Sequence, residues 1–230
     1  MHILTEPFRD LLSPEETDSL ITDFSMSGFI RWRPEVVAFR SGMESHVLVG
    51  GREDVTEHPF VLAKIGALIA RATLRMVKEN HRACLIGIPM VGNTLATAAA
   101  LHEPHRLPFL VMRPVRKKHG AHTRWVDGSA FDYDHFVTVD NTITDGGSKF
   151  QTIRRLRSEG FGFDQSEGLS HLVLVDRGIG GIARLRSRGH DAHALIDLPD
   201  LVRAFVVRGD WPQERLDTLL RENEQYRLAL

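Results

Sequence analysis

The sequence predicts an α/β protein with a central parallel sheet flanked by helices on both faces. Three observations predict it. First, the runs "ACLIGIP", "LPFLVMR", "HFVTVD" and "HLVLVD" are apolar almost throughout, the mark of strands buried on both sides. Second, segments at helical spacing alternate with these runs, several of them entered through glycine-rich turns, as in strand–turn–helix units. Third, 230 residues with 42% hydrophobic and 26% charged side chains suit one α/β domain with an added subdomain, or two small domains.

Taken in order, residues 6–30 space their apolar side chains as a helix does, with "SPEE" as the start signal. "EVVAFRSGMESHVLVGG" reads as two short strands around a glycine turn. "HPFVLAKIGALIARATLRMVKEN" predicts a long helix with Pro59 in its first turn. "ACLIGIP" is a strand and "MVGNTLATAAALH" a turn running into an alanine-rich helix. "LPFLVMR" is the next strand, followed by the polar stretch "PVRKKHGAHTRWVDG". "HFVTVD" is a strand ending at Asp140, "NTITDGGS" a turn, and "KFQTIRRLRSEG" a helix closing on Gly160. "HLVLVD", "RGIGG" and "IARLRSRG" repeat the pattern, "DAHALIDLPDLV" is a final short strand with a tail, and "WPQERLDTLLRENEQYRLAL" is an amphipathic helix. In such sheets ligands bind at the carboxyl ends of the strands, where these turns lie.

The remaining composition narrows the function classes. A net charge of −1 gives no global reason to expect nucleic acid or an acidic membrane surface. The single cysteine, Cys84, leaves no internal disulfide and reads as a buried small hydrophobe. No basic segment followed by an apolar stretch opens the chain, and hydrophobic runs are broken well short of a membrane span, so a cytoplasmic protein is expected. His-x-x-His occurs at 102–105, 119–122 and 190–193, without a carboxylate or cysteine at a spacing that completes a metal site.

The turn "VTVDNTITDGGSKF" carries the most chemistry. Asp140 lies at the ligand edge, and Thr144, Gly146, Gly147 and Ser148 offer hydroxyls and unobstructed amides at a helix start, the physics of a phosphate cradle. The whole string resembles the phosphoribosyl-diphosphate signature of type I phosphoribosyltransferases. The rest of the chain narrows the likeness to the orotate phosphoribosyltransferase family. "FRSGMESHVLVGGRE" is similar to that family's base-contacting stretch, with Arg40 at the basic position. "IGIPMVGNTLATAAA" is similar to its diphosphate loop, "RPVRKKHG" to its mobile catalytic loop, and "VDRGIGG" to its late base-contacting turn. The five motifs fall in family order over roughly residues 36–200.

The resemblance implies a type I phosphoribosyltransferase fold with an N-terminal hood subdomain. It divides the chain into a helix and hood at 1–58, a core at 59–208 and a C-terminal helix at 209–230. The implied reaction moves ribose 5-phosphate from phosphoribosyl diphosphate to a heteroaromatic base, most often orotate, with magnesium held mainly by substrate oxygens. Asp140 would serve the ribose, with Asn141 beside it, and Thr144, Gly146, Gly147 and Ser148 would hold the 5′-phosphate. Arg113, Lys117 and His119 would meet the diphosphate from a closing lid, and Arg40 and Arg177 would read the base carboxylate. A homodimer sharing the lid between subunits is implied as well.

Four positions depart from the family pattern, each altering charge. Asn141 replaces a second acid, Asp145 adds one inside the cradle, Pro114 replaces a lysine of the lid, and Val91 sits where many members have a lysine or a small residue beside the diphosphate. A carboxylate at 145 would repel phosphate unless it turned away or paired with Lys149 or another base. Two alternatives stay open: the same chemistry on another base, and a non-catalytic phosphoribosyl diphosphate or nucleotide-binding regulator.

Overall fold

A computed structural model describes residues 11–39, 41–50, 57–115, 118–119, 133–158 and 168–228. Five parallel strands form the central sheet: β3 (Ala83–Gly87), β4 (Phe109–Val111), β5 (His135–Ile143), β6 (Leu169–Asp176) and β7 (Asp191–Asp197), in the order β4-β3-β5-β6-β7. An antiparallel pair, β1 (Ile30–Ala38) and β2 (Glu44–Val49), stands apart as the hood. The helices are α1 (Pro14–Ser27), α2 (Pro59–Met76), α3 (Val91–Ala100), α4 (Gly147–Arg157), α5 (Gly181–Arg186), α6 (Leu198–Arg208) and α7 (Gln213–Gln225).

The apolar strands bury both faces by simple alternation. Leu85, Val137, Val139, Leu172 and Leu174 face one core, which takes in α1, α2, α3, α6 and α7. Cys84, Ile86, Phe136 and Val173 face the other, covered by α4 and α5. Successive side chains of a strand point to opposite sides, so a strand covered twice must be apolar at every position. Burial pushes the Cys84 thiol up to about 12, which leaves it neutral and inert.

Local signals set the helix starts. At α1, Ser13 and Glu16 exchange hydrogen bonds in a capping box, and Gly28 closes the helix at φ 67°. Glycines also allow the close approaches that seat helices on strands. A Cβ at Gly92 would lie 2.1 Å from the Val139 carbonyl oxygen, so α3 can rest on β5 only with glycine there.

Three expectations are corrected. The segment after β7 is the helix α6, where a tail was expected. Asp197 stands at its N-cap position, Pro199 lies in the first turn, and Leu198, Leu201, Val202 and Phe205 make one buried stripe. The long helix stops at Met76, with Val77 extended, four residues before Asn80. β5 continues past Asp140 to Ile143, because Asp140 and Thr142 pair with Val173 and Val175 of β6. Gly160 lies outside the described residues.

Candidate active site

The carboxyl edge of the sheet gathers the turns that follow β3, β4, β5 and β6. Near the end of β5, Asp140 accepts from Asn141 N at 2.9 Å through Oδ1 and from Lys149 Nζ at 2.7 Å through Oδ2. Lys149 is buried and also donates to the Thr142 carbonyl at 2.5 Å. It is the third residue of α4, and its side chain turns back under the turn toward the strand. Lys149 therefore pairs with Asp140, and the expected option of pairing with Asp145 is not taken. Within the described structure, Asp140 is a carboxylate with a built-in counter-ion.

Asn141 has a different task from the one its position suggested. Its Nδ2 donates to the Gly50 carbonyl at 2.7 Å, tying β5 to the end of the hood. An acid at 141 would place a carboxylate against that carbonyl oxygen, which gives a physical reason for asparagine at this site.

Gly146, at φ 82°, opens α4, and Gly147 and Ser148 are exposed at its first turn. Asp145 lies over this opening. Its Oδ1 accepts from Gly147 N at 3.0 Å and from the Thr144 hydroxyl at 3.4 Å. Its Oδ2 meets Arg184 Nη1 of α5 at 3.5 Å, and Arg184 Nη1 also donates to the Asp145 carbonyl at 3.0 Å.

The turn after β6 lies directly beside this one. Arg177 N donates to the Ile143 carbonyl at 3.1 Å, and a Cβ on Gly181 would stand 2.0 Å from the Thr144 carbonyl oxygen. Arg177 itself is 1% exposed, with Nη2 donating to the Val47 carbonyl of the hood at 2.8 Å. Its guanidinium lies 4.4 Å from the Phe39 ring centroid, and its buried Nε has no hydrogen-bond partner among the described residues. Burial pulls Arg177 down to about 10, which still leaves it charged at neutral pH. A buried guanidinium with an unsatisfied donor has capacity for an anionic oxygen.

The turns after β3 and β4 are rooted at the same edge. Asn93 Nδ2 donates to the Met112 carbonyl at 3.1 Å and Arg155 to the Pro114 carbonyl at 3.0 Å, fixing the segment that leaves β4. Arg113 is half-buried at this root, and His119 is exposed further along. Val91 begins α3 and packs into the core. Arg40 and Lys117 lie outside the described residues, as do Arg116, Gly120, Arg124, Trp125 and Gly128.

Sequence reasoning missed the role of α7 in this arrangement. Glu222 accepts from Ser45 Oγ at 2.6 Å and meets His46 Nδ1 at 2.5 Å, while Asn223 Nδ2 donates to the Arg177 carbonyl at 2.6 Å. One helix thus holds the hood and the Arg177 turn together. Trp32 and Trp211 pack against the core. Among the described residues, no three His, Cys, Asp or Glu side chains converge to hold a metal ion.

The parallel sheet and its flanking helices have the type I phosphoribosyltransferase fold, and solved structures agree. A UMP synthase from Leishmania donovani superposes at TM-score 0.73 and 20% identity, covering 93% of this chain and 43% of that one. An orotate phosphoribosyltransferase from Mycobacterium tuberculosis superposes at 0.62 and 20% identity, covering 81% and 98%.

In sequence the chain is similar to orotate phosphoribosyltransferases. The orotate phosphoribosyltransferase of Pyrococcus abyssi is 26% identical over 196 residues, 85% of this chain and 99% of that protein. The uridine 5′-monophosphate synthase of Bos taurus is 25% identical over 159 residues, 69% of this chain and 31% of that protein's length. No family model matches the chain.

Proposed function

We propose that the protein is an orotate phosphoribosyltransferase of pyrimidine nucleotide synthesis, transferring ribose 5-phosphate from phosphoribosyl diphosphate to orotate with release of diphosphate. One observation carries the reading: the phosphate turn of β5 and the Arg177 turn of β6 touch through Gly181 and Thr144 beneath the hood. A ribose phosphate on the first turn and a carboxylate-bearing base against the second would be held as neighbours.

Displacement of diphosphate builds positive charge on the ribose and negative charge on the leaving group. Preorganised charges of opposite sign stabilise that separation. Asp140, positioned by Lys149 at 2.7 Å, faces the ribose. Arg113 at the lid root, with Lys117 and His119 beyond it, takes the diphosphate, and closure of the lid excludes water. Arg177 and Arg40 bind the base carboxylate, for which a planar guanidinium is suited. The donor set fits a magnesium ion carried by substrate oxygens, because Asp140 and Asn141 are committed to Lys149 and Gly50. When bound, that ion supplies charge neutralisation at the diphosphate. The working unit in this reading is a cytoplasmic homodimer that shares its lids.

A second reading is favoured by the same two commitments. Asn141 brings no charge and the Asp140 charge is balanced, so the ribose meets less net anion than two free carboxylates would give. A nucleotide-binding regulator tolerates that loss.

The test mixes the protein with phosphoribosyl diphosphate and magnesium in a calorimeter, then adds orotate while diphosphate release is followed. Binding with orotate-dependent release supports the enzyme. Binding without release on orotate or other bases supports the regulator.

A further inference from the structure

Asp145 occupies the groups that the proposed reading reserves for the 5′-phosphate. Its Oδ1 has taken the Gly147 amide and the Thr144 hydroxyl, and its Oδ2 faces Arg184. Two carboxylate oxygens thus meet an amide, a hydroxyl and a guanidinium, the same kinds of partner a phosphate dianion would seek.

Arg184 reaches this position through the packing of the two turns. Glycine at 181 lets α5 lie against the Thr144 carbonyl, and Arg184 is one turn into that helix, about a third exposed and directed back at Asp145. Its guanidinium also lies 5.6 Å from the Phe150 ring centroid, so α4 and α5 both hold it.

We infer that Asp145 is an internal stand-in for the substrate's 5′-phosphate, and that Arg184 is the cation exchanged between them. In the empty site the carboxylate satisfies the helix start. An arriving 5′-phosphate displaces it, takes the Gly147 amide and the Thr144 hydroxyl, and pairs with Arg184. The inference rests on the phosphoribosyltransferase reading and adds two specificity-determining residues to it. Asp145 weakens phosphate binding by competing for its partners, and Arg184 strengthens it once the carboxylate has left.

Ribose 5-phosphate and phosphoribosyl diphosphate with magnesium serve as calorimetric probes, the first reporting on this end of the site alone. Asp145→Asn keeps a side-chain acceptor for the Gly147 amide while removing the charge, and Asp145→Ser removes the carboxylate altogether. Both are expected to tighten each probe about tenfold, the scale of one charge-assisted hydrogen bond. Adding Arg184→Gln to either variant is expected to reverse the gain. Thermal melting checks that every variant is folded.

Unchanged or weaker binding of both probes in the folded 145 variants would overturn the inference and leave the proposed function standing. A gain that survives Arg184→Gln would remove Arg184 from the exchange. Failure of wild type and all variants to bind either probe would overturn the phosphoribosyltransferase reading, and this inference with it.

Discussion

The turns after β5 and β6 share one plan and differ in what surrounds it. In each, an acid in the last part of the strand precedes a glycine at positive φ that opens a helix: Asp140 with Gly146 at 82°, and Asp176 with Gly180 at 98°. Asp140 is paired with Lys149 at 2.7 Å, and Gly147 behind it is exposed. Asp176 is 5% exposed and accepts from Gly178 N at 3.0 Å, and burial pushes its carboxyl up to about 6. The same local grammar therefore yields a charge-balanced acid ahead of an exposed first helical turn in one case and an acid closed into its own turn in the other. Turn sequence supplies the geometry, and the neighbours decide whether the acid itself is available to a ligand.

The largest expected effect tests the charge balance. Lys149→Met leaves the Asp140 carboxylate without its buried partner and should cost about 3–5 kcal/mol in urea unfolding. Adding Asp140→Asn should restore most of that stability. If Lys149→Met alone costs less than about 1 kcal/mol, solvent already balances Asp140 and the contrast with Asp176 weakens.

Next comes the acid of the closed turn. Its folded pKa lies above the unfolded value of 3.8, so the folded state holds the proton more tightly. Below about pH 4 the carboxyl is neutral in both states and no penalty arises. As pH rises through 4 to 6 the penalty grows, and above 6 it is fully present at about 3 kcal/mol. Asp176→Asn keeps an oxygen for the Gly178 amide, so it should stabilise the protein at pH 7 and have little effect at pH 4. Melting curves at the two values check the sign.

Alanine at the two helix starts gives the smallest pair of effects. Gly181→Ala sets a Cβ 2.0 Å from a backbone oxygen, and the required shift should cost about 1–3 kcal/mol. Gly147→Ala meets the movable Asp145 carboxylate at 3.2 Å and should cost less than about 1 kcal/mol. Equal costs would mean that the two turns are equally closed.

Much of the fold was legible because strands buried on both faces must be apolar at every position, and "ACLIGIP" and "HLVLVD" are. α6 was not, since "LPD" after a strand reads as a turn, although proline and aspartate are equally at home in a first helical turn. β5 ran past Asp140 because its polar residues continue a ladder set by β6, which one strand's sequence does not reveal. The residues of the turn after β5 were legible as a local string. Their partners were not: Asn141 meets a carbonyl 91 residues away, and Glu222 meets Ser45 across 177. Lys149 was nearer in sequence, yet the choice between Asp140 and Asp145 depended on which side of α4 it enters.

Diphosphate release with orotate and with uracil, compared side by side in the presence of phosphoribosyl diphosphate and magnesium, tests the central claim most directly. The two bases differ in the carboxylate assigned to buried Arg177. The account predicts release with orotate at a rate at least about a hundredfold above uracil, the scale for a lost buried charged contact. Equal rates, or release with neither base, would contradict it.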